Sequence, residues 1–308
     1  MKIASSHSFY SCAAHDELLR EWANLQHEYG EENFDQLELD LTTTGFIDPY
    51  GIVALTLFLN HLPQECLPVH LELDRFPLAK GERQPENGVV AYLTRMGFFE
   101  EVGAQLDVHS HLLPVRPMWD NDKNVLIDVT ILHGRDAINV MLRKIGEILG
   151  TLGYNPISRG HVMEVLSELS SNVLDHAEAE FGGVVATQTY RSRRSGTRYL
   201  VMSIGDYGIG IRKSIAGNEK FADRLENDAL ALGVAMGQGN SRFATGGRGG
   251  GLARVVEIAK KYRGSLSVRS GNGAFTYQGK DDTRQTFNAP EQTGTQLRIM
   301  LPESGLLS

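Results

Sequence analysis

The order of segments between Val125 and Leu301 constrains the fold more than any composition figure does. The run VLIDVTIL reads as a strand, and helical periodicity follows at 135–150 and again at 158–177. Two strand-like segments, 183–190 and 198–205, come next with only a short turn between them, which implies antiparallel pairing. A glycine-rich region then holds a helix at 222–235, and a further helix at 250–262 precedes strands at 264–270, 273–278 and 294–301. Consecutive strands with helices clustered in sequence favour a two-layer α/β sandwich.

Upstream, strands and helices alternate on a smaller scale. A helix at 15–29 precedes the alternating strand QLELDL, a Thr-rich turn (TTTGFIDPYG), an apolar helix at 52–62 and a second alternating strand, VHLEL, at 69–73. The charged, proline-bearing stretch 74–87 reads as a loop, and 89–103 as a helix closed by Gly97. These segments make a small α/β domain over 1–122. The polar, proline-containing stretch 107–124 marks a boundary before a larger domain at 123–308, and the length of 308 residues fits two domains.

Composition narrows the class. With 41% hydrophobic and 22% charged residues the chain is neither disordered nor fibrous. A net charge of -8 argues against nucleic acid held by bulk electrostatics. Cys12 and Cys66 are too few for a disulfide framework or a cysteine zinc site and fit a reducing cytoplasm. The N-terminus lacks the apolar core of a signal peptide, and the longest apolar stretch, Tyr50 to Leu62, is too short to span a bilayer, so a soluble cytoplasmic protein is expected. His109 and His111 have no completing ligands nearby and read as a surface loop. The basic run 191–198 reads as a solvated hairpin tip.

Four constellations carry chemistry. Along VMEVLSELSSNVLDHAE, spacings of three and four put Glu164, Glu168, Asn172 and Asp175-His176 on one helical stripe, opposite Val162, Val165, Leu166, Leu169 and Val173. An amide oxygen at Asn172 suits Mg²⁺ alongside phosphate and water, and a carboxylate at Glu168 suits a general base; the plain alternative is a solvated polar face. At the end of a strand, Asp206 offers only acceptors, which selects a donating ligand edge such as the 6-amino group of adenine and rejects guanine. Gly208 and Gly210 let a flat ring approach the backbone. Seven of the sixteen residues from Gly237 to Leu252 are glycine, just ahead of an amphipathic helix; such a stretch can cradle anions and close as a lid, with Arg242 and Arg248 as phosphate contacts. It contains no P-loop motif. Thr295, opening the last strand, supplies a hydroxyl.

These four elements, in this order over 125–301, resemble the GHKL superfamily of ATPases, which includes gyrase, the large heat-shock chaperone, sensor histidine kinases and the mismatch-repair ATPase. The resemblance implies the Bergerat-type ATP-binding sandwich, with ATP and Mg²⁺ as ligands. By resemblance Asn172 holds the metal and Glu168 is the base. Asp206, Gly208 and Gly210 form the adenine box, Gly247, Gly249 and Gly251 the lid box, and Thr295 the last box. Tyr207 stands where the family often has asparagine, which affects the pocket wall more than adenine selection. The interval from Glu168 through Asn172 to His176 is most similar to that of anti-sigma serine kinases. Residues 37–103 resemble a STAS-like domain, the fold of anti-sigma-factor antagonists. Pro49 stands where that family's phosphorylatable serine follows the aspartate, here Asp48, so phosphorylation at that site is impossible.

Two functions follow as expectations. One is a Mg-ATP-binding regulatory protein that hydrolyses ATP or phosphorylates a hydroxyl on a partner protein. The other is an ATP-gated interaction module, with or without self-association into a homodimer, that turns over little. A histidine autokinase is disfavoured, because no helix with an accepting histidine precedes the ATP domain. Neither a membrane nor a nucleic-acid partner is expected.

Overall fold

The computed structural model describes residues 2–4, 8–9, 12–29, 36–73, 88–107, 125–176, 182–192, 195–216, 224–237 and 251–307. The N-terminal part runs β1 (Lys2–Ala4), β2 (Ser8–Phe9), α1 (Cys12–Tyr29), β3 (Glu38–Asp40), β4 (Phe46–Ile47), α2 (Pro49–Asn60), β5 (His70–Glu72), α3 (Val89–Arg95) and α4 (Phe98–Val102). Next come β6 (Val125–Leu132), α5 (Gly134–Thr151), α6 (Pro156–His176), β7 (Gly183–Arg191), β8 (Arg198–Asp206), α7 (Gly210–Ala216), α8 (Asp228–Ala235), α9 (Gly251–Lys261), β9 (Ser265–Gln278), β10 (Thr283–Pro302) and α10 (Glu303–Leu307).

The main sheet has the order β6-β7-β8-β10-β9 and is antiparallel throughout. Side chains alternate across it, as the strand period requires. Val185, Leu200, Met202, Ile204, Leu297 and Ile299 point into one core, where Ile145, Leu149, Val162, Val165, Leu166, Val255 and Ile258 of α5, α6 and α9 cover them. This is the expected sandwich of helices on an antiparallel sheet.

The opposite face of the sheet is also covered, by the N-terminal part. Val129, Val184 and Ala186 belong to the core that contains Ile52, Val53, Leu57 and Leu59 of α2. A Cβ at Gly205 would come within 2.6 Å of the Leu57 side chain, so glycine there lets α2 lie close on β8. α2 is apolar on every side because it is sandwiched, and all residues from Pro49 to Leu59 are buried. Asp48 starts it: Oδ1 accepts the Tyr50 and Gly51 N–H groups at 2.9 and 3.2 Å, and Pro49 takes the first helical position, where its missing N–H costs nothing. The other Asp48 oxygen reaches across to Arg298 of β10 at 2.8 Å. A second buried pair joins Asp16 of α1 to Arg269 of β9 at 2.7 Å, and Gln296 donates to the Tyr50 carbonyl at 2.8 Å. Burial pushes the Asp16 and Asp48 carboxyls upward against the pull of their arginines. Removing either arginine would strand a buried carboxylate, a loss of about 3–5 kcal/mol.

Several expectations need adjustment. Within 89–103, where Gly97 was expected to close the helix, α3 ends at Arg95 and Gly97 takes a left-handed φ of 73°; the second short helix, α4, that follows it was not expected. β9 runs unbroken through 271–272, and β10 begins at Thr283 rather than 294. Its first half pairs with 273–278 through polar, exposed residues that show no apolar alternation. The helix expected at 222–235 begins only at Asp228 among the described residues, and α7, β1, β2 and β4 had no periodic signal. Ser192 N donates to the Thr197 carbonyl at 2.9 Å, so the turn between β7 and β8 is a hairpin tip as expected. The loop at 74–87, the stretch 108–124 and His109 and His111 lie outside the described residues. No described helix is long and apolar enough to cross a membrane.

Candidate functional site

Asp206 is the last residue of β8 and points to the helix-covered face, in line with Ile204 and Met202. Only 8% of it is exposed, and burial pushes its carboxyl up to about 6. Oδ1 accepts the Gly208 N–H at 2.7 Å, and the Thr295 N–H also bonds to the group; both pull weakly in the opposite direction. In register, Asp206 pairs with Gly183 of β7 on one side and Thr295 of β10 on the other, and Thr295 pairs in turn with Ser270 of β9.

Ser270 ties these pieces together. Its Oγ accepts the Ile211 N–H at 2.9 Å and donates to the Gly294 carbonyl at 2.9 Å, while Thr295 Oγ1 donates to it at 3.2 Å. Gly210, at φ 76°, starts α7 so close to this hydroxyl that a Cβ would come within 2.9 Å of it. At Gly294, also at φ 76°, a Cβ would overlap the Asp206 carbonyl oxygen. Asp206, Gly208, Gly210, Ser270 and Thr295 therefore occupy one end of the sheet. Nothing in a one-dimensional pattern marked Ser270, because the β9–β10 register brings it there.

The C-terminal half of α6 crosses above the same end. A Cβ at Gly183 would overlap Val173 and come within 2.9 Å of the Gly205 carbonyl oxygen, so α6 rests on the glycine that pairs with Asp206. Asn172, half-buried, precedes Val173, and Glu168 lies one turn earlier and is exposed. Gly251, the first residue of α9, sits against Glu168: a Cβ there would overlap the carboxylate. The helix carrying the polar stripe and the end of the glycine-rich stretch thus meet at Glu168. Glu164, on the same stripe, is committed elsewhere, since Arg254 of α9 binds its two oxygens at 2.7 and 3.2 Å. Both side chains are well exposed, so this clamp adds at most about 1 kcal/mol. Tyr207 does not turn into the site. It stacks on the His61 imidazole of α2, with ring centroids 3.4 Å apart and planes 4° from parallel, and burial favours the neutral forms of both rings. Arg242, Gly247, Arg248 and Gly249, and the side chains of Asp175 and His176, lie outside the described residues.

The donor set bears on the metal. Among the described residues no three His, Cys, Asp or Glu side chains gather to hold an ion. Asn172 offers a neutral hard oxygen one helical turn from the exposed Glu168 carboxylate, for which Gly251 leaves the space that a Cβ would fill. That chemistry fits magnesium, which takes few protein ligands and keeps phosphate and water oxygens.

Residues 158–305 match the family model of the Histidine kinase-, DNA gyrase B-, and HSP90-like ATPases. The matched segment is thus similar to the ATP-binding domain of that family. It runs from the first turns of α6 to α10 and takes in Glu168, Asn172, Asp206, Gly251 and Thr295. No curated protein matches the chain.

Proposed function

We propose that the chain is a cytoplasmic regulatory protein whose GHKL domain, residues 123–308, binds Mg-ATP and hydrolyses it or transfers its terminal phosphoryl group to a hydroxyl of a partner protein. A STAS-like domain over 1–122 forms the regulatory half. The observation that carries this reading is the buried Asp206 carboxylate at the strand end, on the same face and at the same end of the sheet as Asn172. The adenine amino group donates to Asp206, while Gly208 and Gly210 keep the ring plane open to the backbone. Thr295 and Ser270 brace the floor. Asn172 would hold magnesium, which when bound offsets charge on the phosphate oxygens. Glu168, exposed and free to reach a nucleophile, accepts the proton from an attacking water or partner hydroxyl. Gly247, Arg248, Gly249 and Gly251 belong to the lid that covers the phosphates.

The reading is tested by Glu168→Ala. ATP turnover or transfer should fall by about 10²–10⁴-fold, the usual weight of a general base, while ATP affinity stays within about twofold. Equal loss of both would make Glu168 a structural residue. The second reading, an ATP-gated interaction module, is favoured by the Tyr207–His61 stack, which joins the residue after Asp206 to the N-terminal half. Equal turnover by wild type and Glu168→Ala would support it.

A further inference from the structure

At the end of the sheet away from Asp206 lies a half-open cleft of about 1140 Å³, between the start of α6, the end of α9, the β9–β10 turn and α10. In a chain of net charge -8, its described lining contains Lys261, Arg263 and Lys280 and no acidic side chain. None of the three cations forms an ion pair with a described residue. Of the acids beside it, Asp282 pairs with Lys260 at 2.6 Å and Glu303 with Arg198 at 2.7 Å, while the exposed Asp281 lies outside the lining. Arg263 holds a left-handed φ of 53°, in the turn that closes α9, a position where glycine is the unstrained choice. The long cation is kept there at a conformational cost. Tyr199 and Tyr262 give the cleft an apolar wall, and Ile157 at the start of α6 is 67% exposed.

We propose that this cleft docks an acidic segment of a partner protein carrying an apolar side chain. Charge complementarity selects the occupant: three cations without counter-ions among the described residues attract carboxylates, and the tyrosines and Ile157 receive an apolar anchor between them. The volume exceeds that of most enclosed small-molecule sites, about 300–1,000 Å³, and the open side suits a chain segment. Nucleic acid fits less well, because the cleft sets three cations around an apolar wall rather than in the extended basic stripe that tracks a phosphate backbone. The cleft is separate from the nucleotide site. Tyr199 and Asp206 terminate opposite ends of β8, and α6 runs from Ile157 at the cleft to Asn172 at the other end.

The test titrates the full chain into three fluorescent probes at low ionic strength: a glutamate-rich peptide with a central leucine, its lysine-rich counterpart, and a single-stranded DNA oligonucleotide. The acidic peptide alone should bind saturably, and more weakly as salt rises. Lys261→Glu/Lys280→Glu should weaken it by about tenfold or more. Arg263→Gly, which suits the left-handed backbone and so preserves the fold, should weaken it by a smaller factor with no loss of melting temperature. No saturable binding of the acidic peptide, equal binding by wild type and all variants, or tighter binding of DNA than of the peptide would overturn the proposal.

Discussion

Asp206 carries a tension between folding and binding. Its carboxyl is buried, and burial lifts its pKa to about 6 from the ordinary aspartate value of 3.8. The folded chain therefore holds this proton more tightly than the unfolded one, and the contribution is present at low pH and lost as pH rises from about 4 through about 6. At neutral pH the ionised group costs stability, up to about 3 kcal/mol from the size of the shift. Asp206→Asn should accordingly raise the ligand-free protein's stability at pH 7 by about 1–3 kcal/mol, and the gain should vanish near pH 4. Denaturant melts at the two pH values check this; a variant less stable than wild type at pH 7 would show that the carboxylate is held by bonds stronger than its desolvation. Asp206, Gly208, Gly210 and Asn172 were legible in the sequence because each sits in a short run with the donors or turns it needs. Ser270 was not: its importance comes from facing Thr295 across two strands, a register that only the folded sheet defines.

At the level of elements, one missing side chain sets how α9 meets the Glu168 carboxylate of α6. Gly251 leaves room for the Glu168 carboxylate, and any Cβ there displaces it. Because the displaced atoms are the free end of an exposed side chain, the fold can absorb the change. Gly251→Ala should therefore leave the melting temperature within a few degrees of wild type while lowering ATP turnover by about tenfold or more, since small misplacements of a catalytic group are costly. Steady-state turnover alongside thermal melts separates the two; an unchanged rate would mean Glu168 does not act from this position. The helices at this junction were readable from their 3.6-residue period. The first half of β10 was not, because Thr283 to Glu291 is polar and largely exposed and offers no alternation to read.

On the scale of the whole molecule, α5, α6 and α9 cover one face of the sheet, and the N-terminal part covers the other face through α1 and α2. Hydrophobic patterning did reveal that α2 is apolar on every side, yet not what surrounds it. Its partners, Val184, Ala186 and the Gly205 against which Leu57 lies, are more than a hundred residues away in sequence. The pairs Asp16–Arg269 and Asp48–Arg298 are separated by about 250 residues, so charge patterning could not have found them. This arrangement leaves only the helix-covered face for a ligand beside Asp206, which puts the central claim on the carboxylate itself. Calorimetric titration of Mg-ATP and Mg-GTP against wild type and Asp206→Asn tests it most directly. The account predicts that wild type prefers ATP and that Asp206→Asn loses about 10–100-fold in ATP affinity, the worth of a hydrogen bond to a charged acceptor. ATP affinity indifferent to the substitution, or GTP bound as tightly as ATP by wild type, would contradict it.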